Sequence, residues 1–386
     1  MIEVKVAYFS PIYWDFLKQR PQHIAEELSK HLTVYYIEPS ISIVSSLLRR
    51  QKSYQAVEFS INKQLKVIRL SGKYRLPKVI ELIDIVGINR VYEKLQLQRI
   101  VTDCDFIWLG SPVFYDLIKD SGKTIIYDKM DDYQQLTKNK LLKKVIRKNE
   151  RMLLDNAALC ITSSEYLYDE VAASYSVPLV LIRNGVDKKI HQVENEECYV
   201  ANEINQIKRR KTRIFGYVGS IDHWFDFEVI KVILDHDYCN IIVIVGNNNM
   251  PKMKHDRVFY YEAVPKSEVP LIIQTFDVCL YNFKKDSFLD SINPVKVYEY
   301  LALNKKIISV SSKETNRFSE YVQLYKNDDE LKAILNEIDT QKLPLDNTND
   351  VQKFITENSW ESRASKIIEV LSNINILSFR EEVNEK

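Results

Sequence analysis

The sequence predicts an α/β protein of two doubly wound, Rossmann-like domains, and three observations carry that reading. Short β-rich runs alternate with helical patterns through the first half, which is the signature of βαβ units and a parallel sheet. The same alternation starts again near residue 213, beyond a polar, charge-dense stretch. The 386 residues, 45% of them hydrophobic and 28% charged, suffice for two or three domains with sizeable cores.

In the first series, strands are expected at 4–9, 32–37, 65–70, 105–109, 123–127, 157–162 and 177–182, with a helix at 22–31. The second series places strands at 213–218, 240–245, 258–261, 278–281 and 307–310, with helices at 225–235, 266–275 and 293–302. The segment 352–371, around Trp360, reads as helix with a further helical tail. The boundary falls near 187, giving an N-terminal domain over 1–187 and a C-terminal domain over 188–359, with 360–386 as a closing helix.

In open α/β sheets ligands bind beyond the carboxyl ends of the strands, so the loops there are the candidates for chemistry. After the first strand come Ser10-Pro11-Ile12-Tyr13-Trp14-Asp15 and then Arg20-Pro21-Gln22-His23 at a helix start. After the run ending at Tyr127 come Asp128, Asp131 and Asp132. Carboxylates crowded at a strand end acquire perturbed pKa values, which suits a base or orienter for an acceptor hydroxyl. The plainer alternatives are packing aromatics for Tyr13 and Trp14, a surface residue for Arg20, and a helix-capping cluster for the three aspartates. No His or Cys stands at ligand spacing beside them, so no metal is expected.

The stretch 293–302 has the most chemistry per residue. Asn293 is suited to capping a helix and Pro294 to its first position. A helix start attracts phosphate, and Lys296 adds a full charge in the first turn. Glu299, three residues on, shares that face and could accept hydrogen bonds from both hydroxyls of a ribose. Phosphate and diol together point to a nucleotide; a cap with a surface ion pair is the plainer alternative. Only eight glycines are present and no Gly-rich phosphate loop, so helix ends and side chains must hold any phosphate.

Composition narrows the partners. A formal charge of +1 argues against a nucleic-acid binder. The five cysteines are widely spread without a C-x-x-C pair, as buried free thiols in a reducing compartment would be. Glu3 and Lys5 interrupt the first apolar run and no membrane-spanning run exists, so a cytoplasmic location is expected. The segment 138–154 nonetheless carries Lys138, Lys140, Lys143, Lys144, Arg147, Lys148 and Arg151 against a single Glu150. Its apolar residues Leu141, Leu142, Val145, Ile146, Met152 and Leu153 fall at helical spacing. Such a helix is attracted to the anionic inner face of a membrane, each cation contributing about 1 kcal/mol. A core-packed helix with solvated cations is the plainer alternative, and the basic stretch 73–99 could share the surface.

Taken in order, these stretches resemble the GT-B glycosyltransferases, in particular the family-4-like bacterial enzymes that include the teichuronic acid glycosyltransferases. The matching residues are Trp14 with Arg20-Pro21-Gln22-His23, Tyr127-Asp128 to Asp131-Asp132-Tyr133, and Asn184-Gly185-Val186-Asp187. They continue with Gly216 to Asp222, Val243 to Gly246, and Asn293-Pro294 followed by Lys296 to Ala302. The resemblance implies two domains facing a cleft, with the C-terminal helix crossing back to the first. It implies a nucleotide-sugar donor in the second domain, on Gly219, Ser220, Asp222, Gly246, Asn293, Lys296 and Glu299, and an acceptor in the first, near Tyr13, Trp14, Arg20 and Gln22. Transfer of a hexosyl group to a saccharide or lipid-linked glycan, with retention and without a metal, is the implied reaction. Asp128, Asp131 or Asp132 would orient the acceptor while Lys296 and Arg20 steady the leaving diphosphate. Two departures stand out: Ser10-Pro11-Ile12-Tyr13 replaces a Gly-rich loop, and Ser291 occupies the first position of the family's paired glutamates, with Asp290 beside it. A catalytically silent scaffold and a sugar-nucleotide epimerase on the same fold are the other readings.

Overall fold

The protein is seen in a computed structural model that describes residues 4–15, 18–42, 46, 55–74, 88–137, 139–191, 197–208, 212–338, 340 and 348–377. The chain divides into two compact units, Met1–Arg183 with Arg363–Lys386, and Asn184–Ser362.

The first unit runs β1 (Lys5–Phe9), α1 (Arg20–Leu28), β2 (Thr33–Glu38), β3 (Val57–Ser60), β4 (Leu65–Arg69), α2 (Ile88–Asp103) and β5 (Phe106–Leu109). It continues through α3 (Tyr115–Ile118), β6 (Thr124–Lys129), α4 (Tyr133–Leu136), α5 (Lys140–Asn156), β7 (Leu159–Thr162), α6 (Glu165–Ala172) and β8 (Leu179–Leu181). The strands form one sheet in the order β3-β4-β2-β1-β5-β6-β7-β8, parallel except for β3 against β4. β1 lies between β2 and β5, so the winding reverses there and opens a switch point at its carboxyl end. The central strands are buried on both faces, which is why Phe106-Ile107-Trp108-Leu109 reads as a continuous apolar run without alternation.

The second unit runs α7 (Tyr199–Ile207), β9 (Arg213–Val218), α8 (Phe227–His236), β10 (Asn240–Val245), β11 (Val258–Tyr261), α9 (Val269–Thr275) and β12 (Val278–Tyr281). Then come α10 (Ser287–Ser291), α11 (Val295–Ala302), β13 (Lys306–Val310), β14 (Gln323–Tyr325), α12 (Asp328–Glu337) and α13 (Thr348–Glu357). Its sheet is wholly parallel in the order β11-β10-β9-β12-β13-β14, the doubly wound arrangement, with the reversal between β9 and β12. The helix α14 (Trp360–Asn373) begins in this unit and joins the first at Arg363.

Three local differences from the sequence expectation have physical causes. The helix expected at 22–31 begins at Arg20, because Pro21 fits a first helical turn and the Gln22 side chain accepts the Gln19 N–H at 2.9 Å. The helix expected over 352–371 is broken between Glu357 and Trp360. There the backbone pairs with the strand-like Val186: its N–H donates to the Asn358 carbonyl at 2.9 Å and its carbonyl accepts from Trp360 N at 3.1 Å. Gly185 permits that approach, since a Cβ would stand 2.8 Å from the Asn358 carbonyl oxygen. Finally, β3 and β14 are sheet-edge strands of four and three residues, too short for a periodic pattern to declare them. Residues 75–87 of the basic stretch 73–99, Lys138, and the tail beyond 377 lie outside the described residues.

Candidate functional site

The second unit gathers the donor candidates at the carboxyl edge of its sheet. α11 starts at Val295 with Pro294, not Asn293, at its N-cap. Asn293 is buried one step earlier: its side-chain oxygen accepts the Asn184 N–H at 2.9 Å and its amide donates to Glu314 at 2.5 Å. The expected cap is therefore an anchor that holds the approach to the helix. Lys296 and Glu299 do share one face, with Nζ 2.7 Å from Oε2. A second cation, Lys266 from the turn after β11, donates to the other oxygen of the same carboxylate. Burial alone would push the Glu299 carboxyl up, but the two ammonium groups outweigh it and hold it at about 2. Its stabilising contribution is present above the unfolded carboxylate range, about 4.3, and fades as pH falls toward that folded value. Burial lowers the Lys296 pKa, and the neighbouring Lys266 lowers it further against the pull of Glu299. Lys266 was not singled out in the sequence, because only the tertiary fold brings the β11 turn to α11.

Gly219 and Gly246 stand where the ends of β9 and β10 touch. Gly246 has φ +145° and a Cβ there would lie 2.1 Å from the Gly219 carbonyl oxygen, so close backbone approach demands these glycines. Ser220 is exposed, and its carbonyl accepts from Tyr217 Oη at 3.1 Å. Asp222 accepts from Asn249 Nδ2 at 3.1 Å and sits beside His223. Tyr300 of α11 reaches the same edge, its hydroxyl oxygen accepting the Val218 N–H at 3.3 Å.

In the first unit, the loop after β1 is built by charges that the sequence reading passed over. Glu38, closing β2, accepts the Trp14 N–H and, on its other oxygen, Arg69 Nε at 2.6 Å. The Arg69 guanidinium also covers the Tyr13 ring at 5.2 Å. Trp14 stands edge-on to Tyr36, whose hydroxyl donates toward Ser10 Oγ at 2.6 Å. Tyr13 and Trp14 are thus half-buried but presented by a rigid frame. The detectable signal was a single charged residue ending each of two apolar strands.

Arg20, Gln22 and Asp128 are tied into the frame of the first unit by hydrogen bonds and charge. Arg20 is 4% exposed and Asp128 fully buried; Nη2 lies 2.8 Å from Oδ1, and Nη1 donates to the Ile182 carbonyl at 2.8 Å. Gln22 is buried and its amide donates to the Tyr13 carbonyl at 3.1 Å. Asp132 caps α4, accepting from Gln134 N at 3.0 Å and Gln135 N at 3.1 Å. Asp131 is different: it makes no side-chain hydrogen bond among the described residues, and burial, opposed by Arg20, pushes its carboxyl up to about 7. A carboxyl raised to that value has the proton affinity of a base near neutral pH.

On α5, Glu150 turns inward to Lys129 at 2.7 Å, taking with it the one acid of the segment. Ile146, Leu153 and Leu154 pack inward as well, while Leu141 and Leu142 are 41% and 37% exposed among Lys140, Lys143 and Lys144. The apolar face is therefore split: its later turns belong to the core and its first turn faces solvent. The five cysteines are free thiols, four of them buried. No group of three or more His, Cys, Asp or Glu poised for a metal occurs among the described residues, nor a helix long and apolar enough to cross a membrane.

These two units give the chain the GT-B fold. Over 97% of its length and 99% of the other chain it superposes on sucrose-phosphate synthase from Thermosynechococcus elongatus with a TM-score of 0.71 at 12% identity. Anabaena HepE in complex with UDP-glucose gives 0.68 at 12% identity, covering 96% of this chain and all of that one. An E. coli trehalose-6-phosphate protein bound with UDP-2-fluoro glucose gives 0.70 at 10% identity, over 95% and 98% of the two chains. In sequence the chain is similar to TuaH of Bacillus subtilis (strain 168), assigned as a glycosyltransferase of teichuronic acid biosynthesis, with 23% identity over 246 residues. That match takes in 60% of this chain and 55% of TuaH, so it spans little over half of the curated relative. No family model matches the sequence.

If Arg20 is a positioning group for Asp128, Arg20→Ala leaves a fully buried carboxylate without its partner. The expected loss is about 3–5 kcal/mol of stability, read by urea denaturation, with Arg20→Lys recovering part of it.

Proposed function

We propose that the chain is a glycosyltransferase that moves a hexosyl group from a nucleotide-diphosphate sugar, a UDP-sugar by preference, to a hydroxyl of a saccharide or lipid-linked saccharide. The observation that carries this is the helix start of α11 with Lys296 and Lys266 around Glu299 at a strand-end edge of a GT-B unit. Two lysines and first-turn amides can take the charge that develops on a leaving diphosphate. Glu299, ionised throughout the neutral range, can accept from ribose hydroxyls once the cations turn to phosphate. The complexes of HepE and the E. coli protein with UDP-sugars favour uridine as the base.

In this reading the acceptor hydroxyl meets the first unit, beside the framed Tyr13 and Trp14 and the carboxyl of Asp131. Retention of configuration and independence from metal follow the family-4 resemblance. The similarity to TuaH favours a bacterial surface polysaccharide as the destination. The first turn of α5, with two exposed leucines among lysines, is suited to resting on an anionic cytoplasmic membrane face where a lipid-linked acceptor would lie.

Three measurements test this reading. Calorimetric titration of UDP, GDP, dTDP and CMP should find one preferred nucleotide, weakened about ten- to a hundredfold in Glu299→Gln, a loss of about 1.5–3 kcal/mol. Equal affinity in wild type and variant contradicts the donor site. The rate of transfer should rise with pH through about 7 as Asp131 loses its proton, and Asp131→Asn should remove that limb of the profile. A limb that persists in the variant assigns the proton to another group. Cosedimentation with vesicles containing anionic phospholipid should fall at least severalfold in Lys143→Glu/Lys144→Glu; unchanged binding, or equal binding to neutral vesicles, argues against the membrane surface.

A further inference from the structure

We propose that the ring cluster of His223, Trp224 and Phe288, edged by Asp222, is the platform on which the hexosyl ring of the donor lies. The inference rests on the donor reading above and names the part of the substrate that the reading leaves without a partner. Ser291, at the first of the two paired positions noted in the sequence, is buried. The adjacent Asp290 is engaged elsewhere, accepting the Lys313 N–H at 3.2 Å.

The platform lies at the reversal point of the second unit. β9 and β12 are neighbours, and the loops leaving their carboxyl ends are stitched together. Phe225 pairs with Phe283, Asp226 N donates to the Asn282 carbonyl at 2.9 Å, and Lys284 N donates to the Trp224 carbonyl at 2.7 Å. The other side of the loop is tied to the β10 end, Ile221 pairing with Asn248. α10, which carries Phe288, leads directly into α11 and so into the proposed diphosphate site.

The rings are graded by depth. Phe283 and Phe288 are buried, Trp224 is half-buried, and His223 is 47% exposed. Trp224 lies 5.8 Å from Phe288 and 6.5 Å from Phe283, and His223 lies 5.0 Å from Trp224 and 6.1 Å from Phe288. Burial of apolar surface accounts for the phenylalanines. It does not account for a histidine held outside them by Asp222, whose Oδ1 lies 2.9 Å from Nδ1. A hexose offers one face of polarised C–H groups, which suits the negative face of an aromatic ring. Its rim of hydroxyls suits a fixed imidazole, a carboxylate and the Asn249 amide that donates to Asp222.

The test compares affinities for UDP and for UDP-glucose, UDP-galactose and UDP-N-acetylglucosamine by calorimetry, in wild type, His223→Ala and Trp224→Ala, each verified as folded by its thermal transition. His223→Ala keeps the experiment informative should the half-buried Trp224→Ala not fold. The expected result is that one UDP-hexose binds wild type more tightly than UDP. The variants should lose that advantage, about three- to tenfold, while their affinity for UDP itself stays within twofold. A UDP-hexose advantage that survives in His223→Ala overturns the platform, as does equal weakening of UDP and UDP-hexose, or a wild type that binds UDP and gains nothing from any of the three sugars. A wild type that binds none of the four compounds instead defeats the donor reading, which separates the two failures.

Discussion

One carboxylate, Glu299, sets the character of the second unit. It is buried, so it can stay ionised only because Lys296 holds one oxygen and Lys266 the other. That requirement fixes the start of α11 against the turn after β11, through a contact 33 residues apart that no local propensity would make. Removing either lysine moves a burial penalty onto the acid; removing the acid leaves two cations facing each other. On the function proposed above, a diphosphate would offer the lysines a stronger partner than a single carboxylate, and the freed carboxylate would then meet a diol.

Buried charge pairs play the corresponding part in the first unit. Arg20 with Asp128 and Lys129 with Glu150 each tie the end of β6 to a helix, and Arg69 with Glu38 joins the ends of two neighbouring strands. Such pairs contribute little net stability, because desolvation consumes most of the Coulomb gain, but leaving one unpaired is costly. Glu38 and Arg69 hold Trp14 and Tyr13 in one arrangement, and burial pushes the Asp131 carboxyl up to about 7. An orienting shell of this kind is what a site built on loops needs, since loops have no ladder of their own.

The fold was largely legible in the sequence because its strands are buried on both faces, so the runs ending at Phe9, Leu109, Tyr127, Val218, Val245 and Tyr281 are long and apolar enough to stand out. What could not be read is whatever a distant segment decides. The break at Asn358 depends on Val186, and the early start of α1 on the fit of Pro21 and the reach of Gln22. Asn293 has the residue type of a cap, yet the chain uses it to hold Asn184 and Glu314. Lys296 and Glu299 were visible because helical spacing is local; Lys266, Glu38 and Arg69 were not, because their partners lie 33 residues away, or 24 and 31 in the case of Glu38. The three aspartates at the end of β6 looked equivalent as sequence, and only burial and pairing separated a salt-bridged Asp128 and a capping Asp132 from Asp131.

The account's central claim is that the lysine-clamped start of α11 receives a nucleotide diphosphate. Amide hydrogen exchange of the full chain with and without saturating UDP tests it most directly. The account predicts slowed exchange concentrated at 264–269 and 295–301, with the sheet of the second unit little changed. Protection confined to the first unit, or none at these two segments while UDP is demonstrably bound, would contradict it.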